Sequence, residues 1–311
     1  MNGARAASAT IPCFLIALLL AVALPAHAEK PARLVLLGTA GGPTPKKMRA
    51  APAQAIEIGD AVYVVDCGNG VGRQMALAGL SLRKLRHVFV THHHSDHVAD
   101  LVALPLLAWS SGLEQEVTLH GPPPLKRAVK AGLRQFALDI DTRRADEGRP
   151  DLRWLVKVHE LPGDGMVLED DRVTVRAARV EHPPIRDAYA YRFDARDLSV
   201  VISGDTAPSE ALVRLARGAD VLVHEVLLYS ADEVSRWIGK PADHPLVRHI
   251  VQSHTSFRDV GRIASEARVK MLVLSHFVPG DVPVDREAVL AEIRKSFAGE
   301  VRFGEDLMEI P

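Results

Sequence analysis

The chain has 311 residues, 47% of them hydrophobic and 25% charged, with 22 glycines and 20 prolines. That balance belongs to globular proteins and excludes a disordered or collagen-like chain. With 38 Lys and Arg against 39 Asp and Glu the formal charge is -1, so no basic surplus advertises a nucleic-acid surface and no acidic tail advertises disorder.

The first 28 residues differ in composition from the rest. Arg5 is their only charge, the run from Cys13 to Leu24 is almost wholly apolar, and Ala26-His27-Ala28 offers small residues at both key places of an A-x-A cleavage site. The run is too short for the roughly 18–20 residues a bilayer span needs, so it predicts a cleaved signal peptide over residues 1–28 and a single domain over residues 29–311. Cys13 would leave with the signal, so that Cys67 remains alone and no internal disulfide can form. The mature chain is therefore expected in the periplasm or secreted, with no membrane association.

Along the mature sequence, Arg33–Leu37, the hairpin Ala55–Ile58 with Ala61–Val65, and Arg86–Val90 read as strands. His97–Ala108 and Pro124–Phe136 show helical periodicity, with the strand Val117–His120 between them. Ala137–Pro150 is charged and weakly periodic, which predicts a surface loop or an irregular helix end. Strands are expected again at Arg172–Val180, Tyr189–Phe193, Leu198–Ile202, Val221–Val223 and Met271–Leu274. Helices are expected at Pro208–Arg217, Ser256–Ala267 and Asp285–Phe297. A sheet-rich stretch followed by a helix-rich one thus occurs twice. If each sheet is covered by helices on one face, packing the two bare faces together gives a four-layer αβ/βα sandwich, an α/β fold with a cleft at the sandwich edge.

The strongest chemical signal is Thr91-His92-His93-His94-Ser95-Asp96-His97, directly after the strand ending at Val90. Polar groups without partners are costly to bury, and metal binding removes that cost. Imidazole with carboxylate suits zinc and related divalent ions. In a turn leading into a helix, His92 and His94 can point one way while Asp96 and His97 point another, enough for half-shells of two adjacent ions. Three later residues each follow an apolar strand: His182 in Val180-Glu181-His182, Asp205 in Ser203-Gly204-Asp205-Thr206, and His276 in Leu274-Ser275-His276. Each is weak alone, and their joint placement makes them ligand candidates.

The order H-x-H-x-D-H, a later His, an Asp in S-G-D-T and a His near the end resembles the metallo-β-lactamase-fold hydrolases. The resemblance implies that His92, His94 and His182 hold one ion, that Asp96, His97 and His276 hold the other, and that Asp205 bridges both. Two divalent ions per chain are then expected, zinc first, with manganese or iron as alternatives, and with positions open to activate water. Leu36-Leu37-Gly38-Thr39-Ala40-Gly41-Gly42-Pro43, His224-Glu225 and His254-Thr255-Ser256 are similar to the ribonuclease Z and metallo-arylsulfatase branch. By that likeness His254 would be a catalytic acid oriented by Glu225, with Asp96 as ligand and catalytic residue; His93, His224 and His249 carry no assigned role.

Transfer-RNA-processing members of the branch carry a protruding arm between the third-motif His and the bridging Asp, where residues 182 and 205 leave room for a turn and two strands only. This, the leader and the near-zero net charge lead to the expectation of an exported hydrolase of sulfate or phosphate esters. Its partner would be a small anionic ester, with no stable nucleic-acid partner and with a homodimer left open. Lactonase-like carboxylic ester hydrolysis, a ribonuclease Z-type endonuclease and a non-catalytic metal-binding protein are the alternatives. Lys46, Lys47 and Arg49 in the loop 43–52, together with Arg186, are candidates for anion contact, and Trp109 and Phe277 for an apolar wall.

Overall fold

The computed structural model describes residues 31–311 together with Met1 and Gly3, so the leader assigned to residues 1–28 falls, but for those two, outside the described residues. Six strands, β1 (Arg33–Gly38), β2 (Ala53–Ile58), β3 (Ala61–Val65), β4 (Leu85–Phe89), β5 (Val117–Gly121) and β6 (Val156–Glu160), lie side by side in chain order. A second sheet takes β7 (Gly165–Glu169), β8 (Val173–Arg179), β9 (Tyr189–Ala195), β10 (Ser199–Ile202), β11 (Val221–Leu227), β12 (Met271–Val278) and β13 (Glu300–Phe303), again in sequence. The final strand, β14 (Glu309–Ile310), returns to pair with β1 and completes seven strands in each sheet.

The helices α1 (Val71–Leu77), α2 (Ser95–Val98), α3 (Ala103–Ser110), α4 (Leu125–Gln135), α5 (Ala137–Glu147) and α6 (Leu152–Leu155) belong to the first half. The second half carries α7 (Glu210–Ala216), α8 (Ala231–Ile238), α9 (Pro245–Ser253), α10 (Phe257–Ala267) and α11 (Arg286–Arg294). None is long and apolar enough to cross a membrane.

The alternation of side chains along each strand builds the layers. In β1, Leu34 and Leu36 enter the core between the sheets, while Val35 and Leu37 face the helices. β10 divides likewise, with Val200 and Ile202 between the sheets and Val201 under α7 and α10. Strands covered on both faces read as continuous apolar runs, which is why they were visible in the sequence. The expected αβ/βα sandwich is the observed architecture. Parallel strands dominate its centre, with β3 to β6 parallel in one sheet and β10 to β13 in the other. Loops leaving their carboxyl ends therefore gather at one edge.

Three local expectations are corrected. The helix expected at His97–Ala108 is divided into α2 and α3, because the backbone of Cys67 donates to His97 O at 2.7 Å and accepts from Asp100 N at 2.9 Å. The charged stretch after Ala137 is a regular helix, α5, held by Arg143 pairing with Asp139 and Glu147 one turn to either side. Finally, β11 and β12 run four residues further than expected, to Leu227 and Val278. His224, Glu225 and His276 therefore lie within strands.

Candidate metal centre

The turn after β4 enters the edge between the sheets and buries His92, Asp96 and His97. His92 Nε2 lies 2.9 Å from His94 Nδ1, which lies 3.1 Å from His182 Nε2. Ring nitrogens so close converge on one point, as ligands about 2.0–2.1 Å from a common ion do. On the other side His97 Nε2 is 3.3 Å from His276 Nε2, and Asp96 Oδ2 lies 3.6 and 3.5 Å from those two nitrogens. Asp205 stands between the groups. Its Oδ2 faces His92 and His182 at 3.8 and 3.9 Å, and its Oδ1 faces His97 and His276 at 3.4 and 3.2 Å.

The seven residues named from the sequence are thus brought together as two half-shells sharing one carboxylate. Asp205 Oδ1 is buried with no hydrogen-bond partner, and a buried carboxylate left this way is costly unless a cation answers it. The donor set and its geometry fit two divalent ions.

Local structure explains the placement. Gly204 has φ +59°, and a Cβ there would come within 2.9 Å of the Tyr189 carbonyl and 3.0 Å of Thr91 Cβ, so the turn that presents Asp205 needs glycine. His276 occupies a bulge in β12, where Glu225 pairs with Ser275 but Val226 pairs with Phe277, and has φ +43°. Three of the ligand rings are also held from behind. His97 Nδ1 donates to Asp66 Oδ2 at 2.7 Å, and His182 Nδ1 donates to the Ser253 carbonyl at 2.9 Å. His92 Nδ1 donates to Thr91 Oγ1 at 3.0 Å, and that hydroxyl in turn donates to Asp66 at 2.9 Å. Such bonds fix which nitrogen faces the ion and raise its basicity.

Asp66 was not singled out in the sequence, although it obeys the same rule as the others: a carboxylate just beyond an apolar strand, in Val65-Asp66-Cys67-Gly68.

Burial, reinforced by the neighbouring imidazoles, pushes His92 well below the ordinary histidine range and His94 down to about 4. Both are therefore neutral, as ligands must be. Against the upward push of burial, the His276 hydrogen bond and the His97 charge hold Asp96 at about 2.

His254 lies with Asp205 and His276 in a group whose facing atoms are within 4.8 Å of one another. Its Nδ1 donates to Glu225 Oε1 at 3.2 Å, and the same oxygen accepts from the backbone of Thr206 and Thr255 at 3.1 and 3.0 Å. Although burial opposes it, the Glu225 carboxylate raises His254 to about 9. Glu225 thus favours the protonated form of an imidazole that faces the centre.

The other candidates separate. Lys46 and Arg49 both line a cleft of about 220 Å³ that reaches Asp96, and Arg49 is also held 4.1 Å over the Phe277 ring and donates to Thr39 and Gly304. Trp109 and Phe277 are not a substrate wall, since both are fully buried, one under the first sheet's helices and the other against Phe303. Lys47 and Arg186 are exposed. His93 donates to the Pro122 carbonyl at 2.9 Å, His224 is buried beside Glu225, and His249 lies with its ring 6.0 to 6.4 Å from those of His94, His182 and His254. Between His182 and Asp205 the chain forms a turn with β9 and β10, and no arm.

Comparison with known proteins adds three findings. Residues 62–277 match the family described as the beta-lactamase superfamily domain. A ribonuclease Z of Mycobacterium sp. (strain KMS) is 35% identical over 281 residues, covering 89% of this chain and 95% of its own. Among solved structures, the metallo-beta-lactamase fold protein YhfI from Bacillus subtilis superposes with a TM-score of 0.67 at 22% identity, covering 91% of this chain and 100% of its own. The short form of human tRNase Z gives 0.66 at 20%, covering 90% and 98%.

These relatives correct the expectation of a small anionic ester as the substrate and of no nucleic-acid partner, because ribonuclease Z is by its name an enzyme of RNA. The physical error lay in reading a sum: a net charge of -1 constrains the total and not where the charges stand.

Proposed function

The chain belongs to the metallo-β-lactamase-fold superfamily in its ribonuclease Z branch and is a metal-dependent hydrolase of ester bonds, and from that premise we propose that it cleaves phosphodiester bonds of RNA. The observation that carries this reading is the shared carboxylate, with Asp205 turning one oxygen to each histidine half-shell beside a proton-bearing His254. The ribonuclease Z relatives supply the substrate class.

Divalent ions in the two half-shells would supply Lewis acidity and lower the pKa of water; zinc is the ion proposed, because five imidazoles and two carboxylates suit it. His92, His94 and His182 would hold one ion and Asp96, His97 and His276 the other. The chain's own residues do the rest. Glu225 keeps His254 protonated, and His254 places that proton where a leaving oxygen develops charge. Asp66 holds His97 and, through Thr91, His92 in register.

The leader-like composition of residues 1–28 supports a further part of the proposal, that the mature chain starts near Glu29 and acts outside the cytoplasm.

The test is cleavage of a 5′-labelled RNA by the metal-loaded chain, with a chelator and the Asp205→Ala variant as controls. Cleavage that both controls abolish supports the reading. Intact RNA under conditions where the same preparation hydrolyses bis-p-nitrophenyl phosphate rejects RNA as the substrate.

A further inference from the structure

The His93 contact with the Pro122 carbonyl ties the loop after β5 to the turn that carries His92 and His94. From this loop α4 begins, with Lys126, Lys130 and Arg134 at four-residue intervals, a spacing that sets them in one row along the helix. All three are exposed. None of the three side chains has a carboxylate partner among the described residues, whereas Arg143, Arg153 and Arg172 nearby in the sequence are all paired.

Beside the row lies a groove of about 370 Å³ between α4 and β6. Its floor is apolar, formed by Val129, Leu133, Val156 and Val158, and Arg153 stands with the three cations on its walls; no carboxylate lines it. Glu160 at the end of β6 accepts from the backbone N–H of Lys126 at 2.9 Å rather than pairing with a side chain of the row.

Helix stability accounts for Arg134, which stands in the last turn where the dipole favours a cation, but not for Lys126 and Lys130. The first turn of α4 holds Lys126 and Arg127 and no acidic residue, so cations sit at the end where the helix dipole is already positive. The first-turn cations disfavour the helix start and set positive charge on the element that follows the loop touching His93. In a chain of net charge -1, Lys126 and Lys130 are a local surplus that the helix does not use.

We propose that this row and groove bind single-stranded RNA leading to or from the metal centre. Lys126, Lys130 and Arg134 would take successive phosphates, and the apolar floor would take ribose and base faces. Charge complementarity with a polyanion and continuity with the metal-centre loop select this occupant. The inference rests on the reading of RNA as substrate, and it gives a chain without an arm between His182 and Asp205 another way to hold a long strand.

The test compares the metal-loaded chain with the K126E/K130E/R134E variant on a 5′-labelled RNA and on bis-p-nitrophenyl phosphate, which is too small to reach the groove. KM for RNA should rise at least about tenfold with kcat within about twofold, and the small ester should be hydrolysed unchanged. The salt dependence of log kcat/KM should become shallower by about 2, at about 0.7 for each phosphate that the variant no longer neutralises. K126Q/K130Q/R134Q, which adds no new charge, should show the same trends more weakly.

Unchanged RNA kinetics in the variants, beside a wild type that cleaves RNA, overturn the groove and leave the function standing, whereas a wild type that hydrolyses only the small ester overturns the function and the groove with it. A loss on the small ester in both variants would assign the row to the support of the metal centre and overturn the proposal. Polyglutamate binding to the wild type and not to the variants, with RNA kinetics unaffected, would identify an acidic-protein surface and overturn it equally.

Discussion

Glu225 and His254 form a buried pair in which the carboxylate Oε1 lies 3.2 Å from the imidazole Nδ1, with the two groups delivered by different elements, β11 and the residue that follows α9. The carboxylate raises His254 to about 9 against the effect of burial.

A pH dependence follows from this pair. His254 carries its proton below about 9, so a reaction that uses the proton slows as pH rises through that value. In Glu225→Gln the raising charge is gone, and the alkaline limb should move to lower pH. The stability linked to the pair has the same sign: it is complete below the unfolded-state value near 6.5 and is lost as pH rises through about 9. His254→Ala should keep its metal and lose roughly 10²–10⁴-fold in rate. The loss should be larger for leaving groups of higher pKa. Rates measured from about pH 6 to about pH 10 with two leaving groups check this, and a common factor for both would make His254 a spacer.

Asp66→Asn tests the support behind the ligands. It weakens the 2.7 Å bond to His97 and leaves every ligand in place. Loss of such a partner typically costs about 10–100-fold in metal affinity or activity. Competitive titration against a chelator should show the loss, with rates recovering at raised metal concentration.

Gly204→Ala should be destabilising by more than Gly59→Ala. Both glycines have φ +59°, but a Cβ at Gly59 meets open space, whereas at Gly204 it meets the Tyr189 carbonyl. Gly59→Ala therefore measures the backbone cost alone, about 1 kcal/mol. The excess at Gly204 should appear in urea denaturation, accompanied by reduced metal content as Asp205 is displaced.

Export is checked at the N-terminus. The purified chain from a host with a periplasm should begin at or near Glu29. Met1 retained on a cytoplasmic protein would remove that part of the proposal.

The sandwich was legible through its central strands, which are short apolar runs covered on both faces, whereas β6, β7 and β13, exposed or half-buried along much of their length, had no such run to be read. The ligands were legible because each stands at or near the end of an apolar run with a group that needs a partner. The same polarity hid the ends of two strands. Ser275 and His276 read as the stop of an apolar run, yet β12 passes through them on a bulge, which turns His276 Nε2 toward Asp96 and Asp205 in the centre. Asp66 was overlooked because a single Asp after a strand reads as a turn residue, and its partners Thr91 and His97 lie 25 and 31 positions away. The division between α2 and α3 depends on Cys67, a tertiary contact with no local signature. The row on α4 was concealed by a charge total that averages it away.

The most direct test of the account joins metal content to RNA cleavage in one preparation. The chain should hold two divalent ions and cleave a 5′-labelled RNA, and Asp205→Ala, which removes the carboxylate facing both half-shells, should lose metal and cleavage together. An Asp205→Ala protein that retains two ions and cleaves RNA at the wild-type rate would contradict the account.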